Sequence, residues 1–181
     1  MKCKGNRGMD VLYVDTLTYA QGNMYIVASD EGLVYIGTPN APFEEVEVWA
    51  KKPFKGYRFE ENKAKLQPYV KQFTDYFNKE LTEFDLPIYV KGTPFQLAVW
   101  DALMELPYGA TASYSDIAHR IGNPKAVRAV GGAIGANPIL AIIPCHRVIG
   151  KNGKLTGFRS GLAMKEFLLE IERGLKNKQV L

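Results

Sequence analysis

The chain has 181 residues, of which 46% are hydrophobic and 23% charged, so it can bury a substantial core in one or two small domains. This composition excludes a disordered tail or a fibrous repeat. The net charge of +4 is uneven: residues 1–90 carry 11 basic and 13 acidic side chains, whereas residues 91–181 carry 12 basic and 6 acidic ones. A polyanion would be attracted to the second half, although such imbalances also occur in chains that bind no nucleic acid.

Cysteine and histidine are scarce. Cys3 and Cys145 are too few and too far apart for a disulfide framework, and His119 and His146 leave little for a zinc site. We therefore predict no metal, no cofactor and a reducing, cytoplasmic location. The N-terminus lacks the apolar stretch of a secretory signal, and the chargeless residues 129–145 fall short of the roughly 20 apolar residues that span a bilayer. The sequence predicts neither export nor a membrane span.

The first half of the chain predicts a small α/β domain over residues 1–90. Residues 11–37 contain short β-branched and aromatic runs separated by turn residues, which indicate two or three antiparallel strands. Residues 43–50 fit either another strand or a short helix. Residues 61–81 carry apolar side chains at helical spacing, which predicts an amphipathic helix. Nothing in this half indicates chemistry, so we interpret it as a packing scaffold.

The second half, residues 91–181, begins with a clearly marked helix. Thr93 provides an N-cap, Pro94 occupies the first helical position, and Gln96 completes a capping box. The apolar residues that follow lie on one face, and the helix must end at Pro107.

Two short helices follow. Residues 113–116 offer a second capping box, and Gly122 ends the helix that starts there. Residues 123–124 are predicted to begin a third helix, with Lys125 and Arg128 on its exposed side. Its buried side is predicted to hold three apolar residues, Val127, Val130 and Ile134.

A helix pair joined by a glycine turn is a candidate helix–turn–helix, a motif that places its second helix in a DNA groove. Many such pairs never contact DNA, but the basic second helix and the positive charge of this half favour that reading. Gly131 and Gly132 each cost about 1 kcal/mol in a helix relative to alanine. They indicate a close approach to this backbone, either by the preceding helix or by a phosphate or sugar.

Reactive side chains concentrate in residues 142–150. A lone cysteine in an apolar stretch is usually inert, but Cys145 adjoins His146 and Arg147, whose imidazole and guanidinium groups favour the nucleophilic thiolate. Pro144 restricts Ile143 to extended conformations, so we expect Cys145 to lie on a stiff, defined backbone. Consecutive residues of a strand point to opposite faces, so coupling between Cys145 and His146 requires a tight turn or an intervening water.

Residues 144–148, Pro-Cys-His-Arg-Val, resemble the active-site motif of the O6-alkylguanine-DNA alkyltransferases, also called methylated-DNA–protein-cysteine methyltransferases. The resemblance extends from about residue 92 to residue 172. It includes residues 93–96, 107–109, 122–131, 137–138 and 161–162. It implies an α/β (α+β) N-terminal domain of ribonuclease-H-like fold, followed by a mainly helical domain with a winged helix–turn–helix.

The resemblance also implies roles for individual residues. Cys145 would be the alkyl acceptor, His146 would remove its proton through a water, and Glu172 would orient the histidine. Tyr114 would hydrogen-bond the base at N3 and help to neutralise the departing guanine. Asn137 would satisfy backbone atoms near Cys145.

Glu172 has a signal of its own. It lies near the C-terminal end of the last predicted helix, where the helix dipole disfavours an anion, so its carboxylate calls for a compensating partner. The alternative is a surface residue paired with Arg173 or Lys176.

DNA and base contacts follow from the same resemblance. Arg128 would enter the duplex where the flipped nucleotide had been. The other implied DNA contacts belong to the helix pair: Tyr114, Ser115, Lys125, Ala126 and Ala129. The residues implied to border the base pocket are Leu140, Val148, Phe158 and Arg159. Residues 156–161 would close over the base, and Phe158 stands where the family often has tyrosine.

The implied function is DNA repair by direct reversal. A methyl or other alkyl group would move irreversibly from O6 of guanine to Cys145, with O4 of thymine as a second candidate, once per chain and after nucleotide flipping. The implied partner is double-stranded DNA, which the protein would bind through the minor groove. The protein is expected to be a monomer. Two alternatives remain: a DNA-binding module in which Cys145 is structural, and a cysteine hydrolase that uses Cys145 and His146.

Overall fold

The first half of the chain forms a four-stranded sheet in a computed structural model that describes residues 10–176. The strands are β1 (Asp10–Tyr19), β2 (Gly22–Ala28), β3 (Leu33–Ile36) and β4 (Tyr57–Glu61), in the order β3-β2-β1-β4. The antiparallel strands β1 to β3 confirm the prediction for residues 11–37. Strand β4, parallel to β1, was not predicted, because it lies at an edge and fully buries none of its side chains.

Two helices accompany this sheet. Helix α1 (Glu44–Ala50) shows that residues 43–50 form a helix and not a strand. Helix α2 (Lys63–Phe77) is shorter than the predicted 61–81, because Glu61 belongs to β4 and the Asn62 side chain caps the helix by accepting from the Lys65 N–H. Its buried residues are Leu66, Tyr69, Phe73 and Tyr76.

The second half is mainly helical. Helices α3 (Pro94–Met104) and α4 (Tyr114–Arg120) both begin with the predicted capping boxes, at Thr93 and Ser113. Gly122, with φ of +70°, follows the end of α4 as a left-handed C-terminal glycine. The other elements are a two-stranded parallel pair, β5 (Ala112–Ser113) with β6 (Val148–Ile149), and the last helix, α6 (Leu162–Lys176).

Helix α5 (Val127–Gly135) starts later than predicted. Residues 123–126 form a separate turn closed by the Ala126 N–H on the Asn123 carbonyl over 3.0 Å, so Lys125 lies in this turn and not on the helix. The prediction that Val127 is buried was wrong: it is 38% exposed at the first helical position. Val130 and Ile134 are buried as predicted, together with Ala133.

A continuous core joins the two halves. One cluster of buried residues combines one face of the sheet with α2, α3 and α6; its members include Ile26, Phe73, Leu103 and Leu168. A second cluster packs α1 on the opposite face of the sheet, as the alternation of strand side chains requires. The segments that carry the reactive residues are therefore anchored in a shared interior.

Strand β3 lies at an edge of the sheet and is covered by other parts of the chain. The N–H of Ile36 donates to the Pro138 carbonyl over 2.9 Å, and Leu33 exchanges hydrogen bonds with the segment around Pro87 and Tyr89. The first half thus touches the loop that leads to Cys145. Among the described helices, none is both long and apolar enough to cross a membrane.

Candidate active site

Cys145 lies in a tight turn and not in an extended strand. Residues Cys145–Arg147 form a single 3-10 turn, in which the Arg147 N–H donates to the Pro144 carbonyl over 3.0 Å. The preceding loop contains Ala141 with φ of +68°, a left-handed conformation that is costly for a residue with a Cβ. The turn buries both Cys145, which is 5% exposed, and His146, which is fully buried. It meets the requirement for a tight turn that the sequence raised.

Asn137 fixes this turn from the end of α5. Its side-chain nitrogen donates to the sulfur of Cys145 over 2.9 Å and to the Ile143 carbonyl over 2.8 Å, while its oxygen accepts from the Ile139 N–H. The predicted contact with backbone atoms near Cys145 is present in this geometry. The direct bond to the sulfur was not predicted from the sequence.

The sequence predicted that His146 and Arg147 favour the thiolate form of Cys145, but the surroundings of the sulfur have the opposite effect. Burial raises the pKa of the Cys145 thiol, and the hydrogen bond from Asn137 and the charges of Arg159 and Lys165 oppose that rise only in part. The guanidinium of Arg147 is instead directed at Glu172. The raised pKa favours the protonated form of the thiol.

His146, the next residue in the chain, is bonded to Glu172 through one ring nitrogen. Its Nε2 lies 2.7 Å from Oε1 of Glu172, while its buried Nδ1 has no hydrogen-bond partner among residues 10–176. Burial lowers the pKa of His146, although the hydrogen bond to Glu172 raises it in part. A neutral imidazole that donates from Nε2 to the carboxylate presents Nδ1 as an acceptor.

Glu172 is the centre of a buried network. Its carboxylate accepts from His146, from Nε and Nη2 of Arg147, from the Tyr76 hydroxyl and from the Gly109 N–H. Burial alone would raise its pKa, but the hydrogen bonds from His146 and Arg147 lower the pKa to about 2. Glu172 has no exposed surface, which excludes the alternative of a surface residue paired with Arg173 or Lys176.

Lys165 is a site residue that sequence reasoning missed. Its ammonium group is buried on α6 and donates to the Val148 carbonyl over 2.6 Å and to the Thr156 carbonyl over 2.9 Å. Burial lowers its pKa. A signal was present: Lys165 shares a helical face with Leu168 and Glu172, and a lysine on an apolar face calls for buried acceptors.

Residues 156–161 connect this network to Tyr114. The Thr156 hydroxyl donates to the Tyr114 hydroxyl over 3.0 Å, and Phe158 packs, half-buried, against the core. Arg159 points toward the first half of the chain, where it donates to the Tyr35 hydroxyl and to the Ile36 carbonyl. The remaining members of the expected base pocket, Leu140 and Val148, are buried in the core cluster that contains Cys145.

The expected DNA contacts lie on α4, on α5 and in the turn between these two helices. Arg128 and Ala129 are exposed on α5, Lys125 is exposed in the preceding turn, and Ser115 and Ala126 are half-buried. A Cβ at Gly131 would meet the Tyr114 ring at 3.8 Å, an ordinary contact, and one at Gly132 would meet no described atom within 4 Å. The preceding helix therefore does not require these glycines.

No three histidine, cysteine, aspartate or glutamate side chains within residues 10–176 form a group that could hold a metal ion. Cys3 lies outside the described residues, so the absence of a metal stays a prediction.

Comparisons with known proteins place these features in a family. The profile of the 6-O-methylguanine DNA methyltransferase ribonuclease-like domain matches residues 12–90, and that of the DNA-binding domain matches residues 94–174. The inducible methylated-DNA–protein-cysteine methyltransferase of Bacillus subtilis is 52% identical over 162 residues, which cover 90% of either chain. A relative from Methanosarcina acetivorans is 46% identical over 83% of this chain and 92% of its own.

Solved structures of similar proteins point to the same family. The O6-methylguanine methyltransferase of Mycobacterium tuberculosis is 39% identical, with a TM-score of 0.77, over 90% of this chain and 93% of its own. A second structure, of M. tuberculosis OGT in complex with DNA, is 37% identical, with a TM-score of 0.76, over 91% and 93% of the two chains. With two domain profiles that together match most of its length, the chain belongs to the 6-O-methylguanine DNA methyltransferase family.

Proposed function

We propose that the chain repairs alkylated DNA by moving an alkyl group from O6 of guanine to the sulfur of Cys145, once per chain. The observation that carries this proposal is that Asn137 donates to the Cys145 sulfur while the next residue in the chain, the buried His146, is paired with Glu172. A buried thiol with a neutral histidine and an ionised carboxylate next to it has the parts of a base-activated nucleophile. The names of the relatives, methylated-DNA–protein-cysteine methyltransferases, support the same substrate.

In the proposed reaction, Nδ1 of His146 takes the thiol proton of Cys145 through one water, and Glu172 stabilises the imidazolium that forms. The sulfur attacks the alkyl carbon as the carbon–oxygen bond breaks, and that electron pair passes to the guanine. Tyr114 supplies a proton or a hydrogen bond at N3 to offset the charge on the departing base. The product is a thioether, and the proposed transfer is irreversible.

DNA would be engaged through the minor groove by α4 and α5 as a winged helix–turn–helix. The exposed Arg128 would occupy the space of the extruded nucleotide, which offsets the few kcal/mol that unstacking costs. The turn from Gly150 to Lys154, which follows β6, would serve as the wing. Gly132 leaves α5 open to close approach by a sugar or phosphate.

The flipped base would be read beside the thiol. The carbonyls of Cys145 and Val148 would accept from the guanine amine, and the second lone pair of the Val148 oxygen remains available beside its bond to Lys165. Phe158 would stack on the base, and Leu140 would border the alkyl group. Arg159 would act through the loop, because its guanidinium already binds Tyr35 and Ile36. We also infer that the chain acts as a monomer, with its two domains meeting near residue 90.

The experiment is incubation with duplex DNA that carries O6-methylguanine with a labelled methyl group, followed by mass spectrometry. We expect the label on Cys145 at no more than one group per chain, and a Cys145→Ser variant that binds the duplex without taking up label. Binding without transfer by the unaltered chain would favour a DNA-binding module. Turnover of esters or peptides would favour a cysteine hydrolase.

A further inference from the structure

The hydroxyl of Tyr76 reaches the Glu172 carboxylate from the opposite half of the chain. Tyr76 lies in the last turn of α2, is 1% exposed, and donates to Oε1 of Glu172 over 2.8 Å. That oxygen is also the one that receives Nε2 of His146, over 2.7 Å. Burial and the neighbouring carboxylate raise the pKa of Tyr76 well above its ordinary value, so it remains a neutral donor. Tyr76 and His146 thus share one acceptor atom.

We propose that Tyr76 is a positioning residue that sets the basicity of His146 through Glu172. Each donor on a carboxylate oxygen withdraws negative charge from it, so the Tyr76 hydroxyl weakens the pull of Oε1 on the imidazolium. It also fixes where that oxygen stands, because the ring is held by Phe84 and Tyr108 at centroid distances of 5.1 and 6.3 Å. This inference rests on the proposed roles of Cys145, His146 and Glu172. It adds to them a residue from the first half of the chain, which the sequence analysis interpreted as a packing scaffold.

The other groups that face this pair are fixed and would not replace Tyr76. Nη2 of Arg147 also donates to Oε1, Nε of Arg147 is shared between Oε1 and Oε2, and the Gly109 N–H donates to Oε2. Lys165 binds two carbonyls, and Tyr108 donates to the Ile171 carbonyl. Loss of the Tyr76 hydroxyl therefore removes a donor from the same oxygen that binds His146, and the pKa of His146 should rise.

The test is a pair of matched variants on α2. Tyr76→Phe keeps the ring and removes the hydroxyl. Tyr69→Phe removes another buried tyrosine hydroxyl two turns away, which donates to the Pro87 carbonyl and does not reach Glu172. The chain has two histidines, and the exposed His119 provides an internal reference when both imidazoles are titrated by NMR.

We expect the pKa of His146 to rise by about half to one unit in Tyr76→Phe, with His119 unchanged and Tyr69→Phe like the unaltered chain. The acidic limb of the pH profile of methyl transfer should move to higher pH by the same amount. An unchanged His146 titration in a folded Tyr76→Phe protein, or an equal shift in Tyr69→Phe, would overturn the inference.

A second variant keeps the inference testable if Tyr76→Phe does not fold. A ring-fluorinated tyrosine introduced only at position 76 retains the hydroxyl as a more acidic, stronger donor, so the pKa of His146 should fall. A rise or no change would contradict the inference. Because the NMR titration needs no alkyl transfer, its outcome is separate from the label test of the proposed function.

Discussion

The side-chain nitrogen of Asn137 lies 2.9 Å from the sulfur of Cys145 and donates to it, while the same nitrogen binds the Ile143 carbonyl. One amide thus holds both the reactive atom and the backbone that presents it. A thiolate accepts a stronger hydrogen bond than a thiol, so this contact favours the ionised sulfur against the effect of burial.

Replacing Asn137 should therefore alter acidity and stability together. In Asn137→Ala, the buried Ile139 N–H loses its partner, and the Ile143 carbonyl loses one donor and retains the Cys145 N–H. We expect a loss of about 1–3 kcal/mol in the free energy of unfolding. The pKa of Cys145 should rise and transfer at neutral pH should slow. Thiolate absorbance against pH, measured relative to Cys145→Ala, reports the pKa of Cys145. Asn62→Ala is the control, since it removes the cap of α2 without touching the sulfur; an equal thiol shift there would contradict the assignment.

Glu172 should make stability depend on acidic pH. Its pKa is lowered from an ordinary value of 4.5 to about 2, so its contribution is complete above pH 4.5 and is lost as the pH falls toward 2. The expected size is about 3 kcal/mol. Denaturant unfolding between these pH values should show the free energy of unfolding falling with pH. Glu172→Gln should lack this pH dependence. It should also be less stable at neutral pH, because Arg147 is left without its anion. Glu170→Gln, exposed on the same helix, should keep the pH dependence.

Arg128→Ala should impair repair of duplex DNA more than reaction with the free base. If the side chain fills the gap left by an extruded nucleotide, its loss leaves part of the unstacking cost uncompensated, and we expect duplex repair to slow by about 10- to 100-fold. Single-turnover rates with an O6-methylguanine duplex and with O6-methylguanine base give the comparison. Arg120→Ala removes another exposed arginine, on α4, and should leave both rates near those of the unaltered chain. Equal losses on both substrates in Arg128→Ala would contradict a role in extrusion.

Alkylation itself should destabilise the fold. Cys145 is 5% exposed and its sulfur is already in contact with Asn137, so an added methyl group must displace packed neighbours at a cost of about 1–3 kcal/mol. For a chain of this size, the melting temperature should fall by about 2–4 °C for each kcal/mol. The measurement compares thermal unfolding before and after reaction with O6-methylguanine DNA, with Cys145→Ala treated in the same way. A melting temperature that does not change on alkylation would exclude this strain.

Local signals in the sequence predicted much of the second half. The capping boxes at Thr93 and Ser113 depend on residues three apart, and both occur as expected. The start of α5 was misplaced because residues 123–126 close a turn of their own, which the proline at 124 also fits. A tight turn at Cys145 was one of the two possibilities that the sequence left open, because Pro144 alone favours extended backbone before it and the contact with Asn137, eight residues away, has no local pattern.

Local sequence patterns could not predict contacts between residues that are far apart in the chain. Tyr76 had the pattern of a core residue on an amphipathic helix, and nothing nearby in the sequence indicates that its hydroxyl meets Glu172, 96 positions later. The same holds for the bonds from Arg159 to Tyr35 and Ile36, which join residues more than 120 positions apart. Arg147 was expected to ionise the thiol, and its partner was also a residue that only tertiary packing brings near.

The covering of β3 has a consequence for the behaviour of the chain in solution. An uncovered edge strand offers free N–H and C=O groups to any other strand and is a common starting point for aggregation. Here the Ile36 N–H is occupied by Pro138 and the Ile36 carbonyl by Arg159, both from the half of the chain that carries Cys145. If the two halves separated, this edge would be open to pairing with a second molecule, so damage to the reactive loop also threatens solubility.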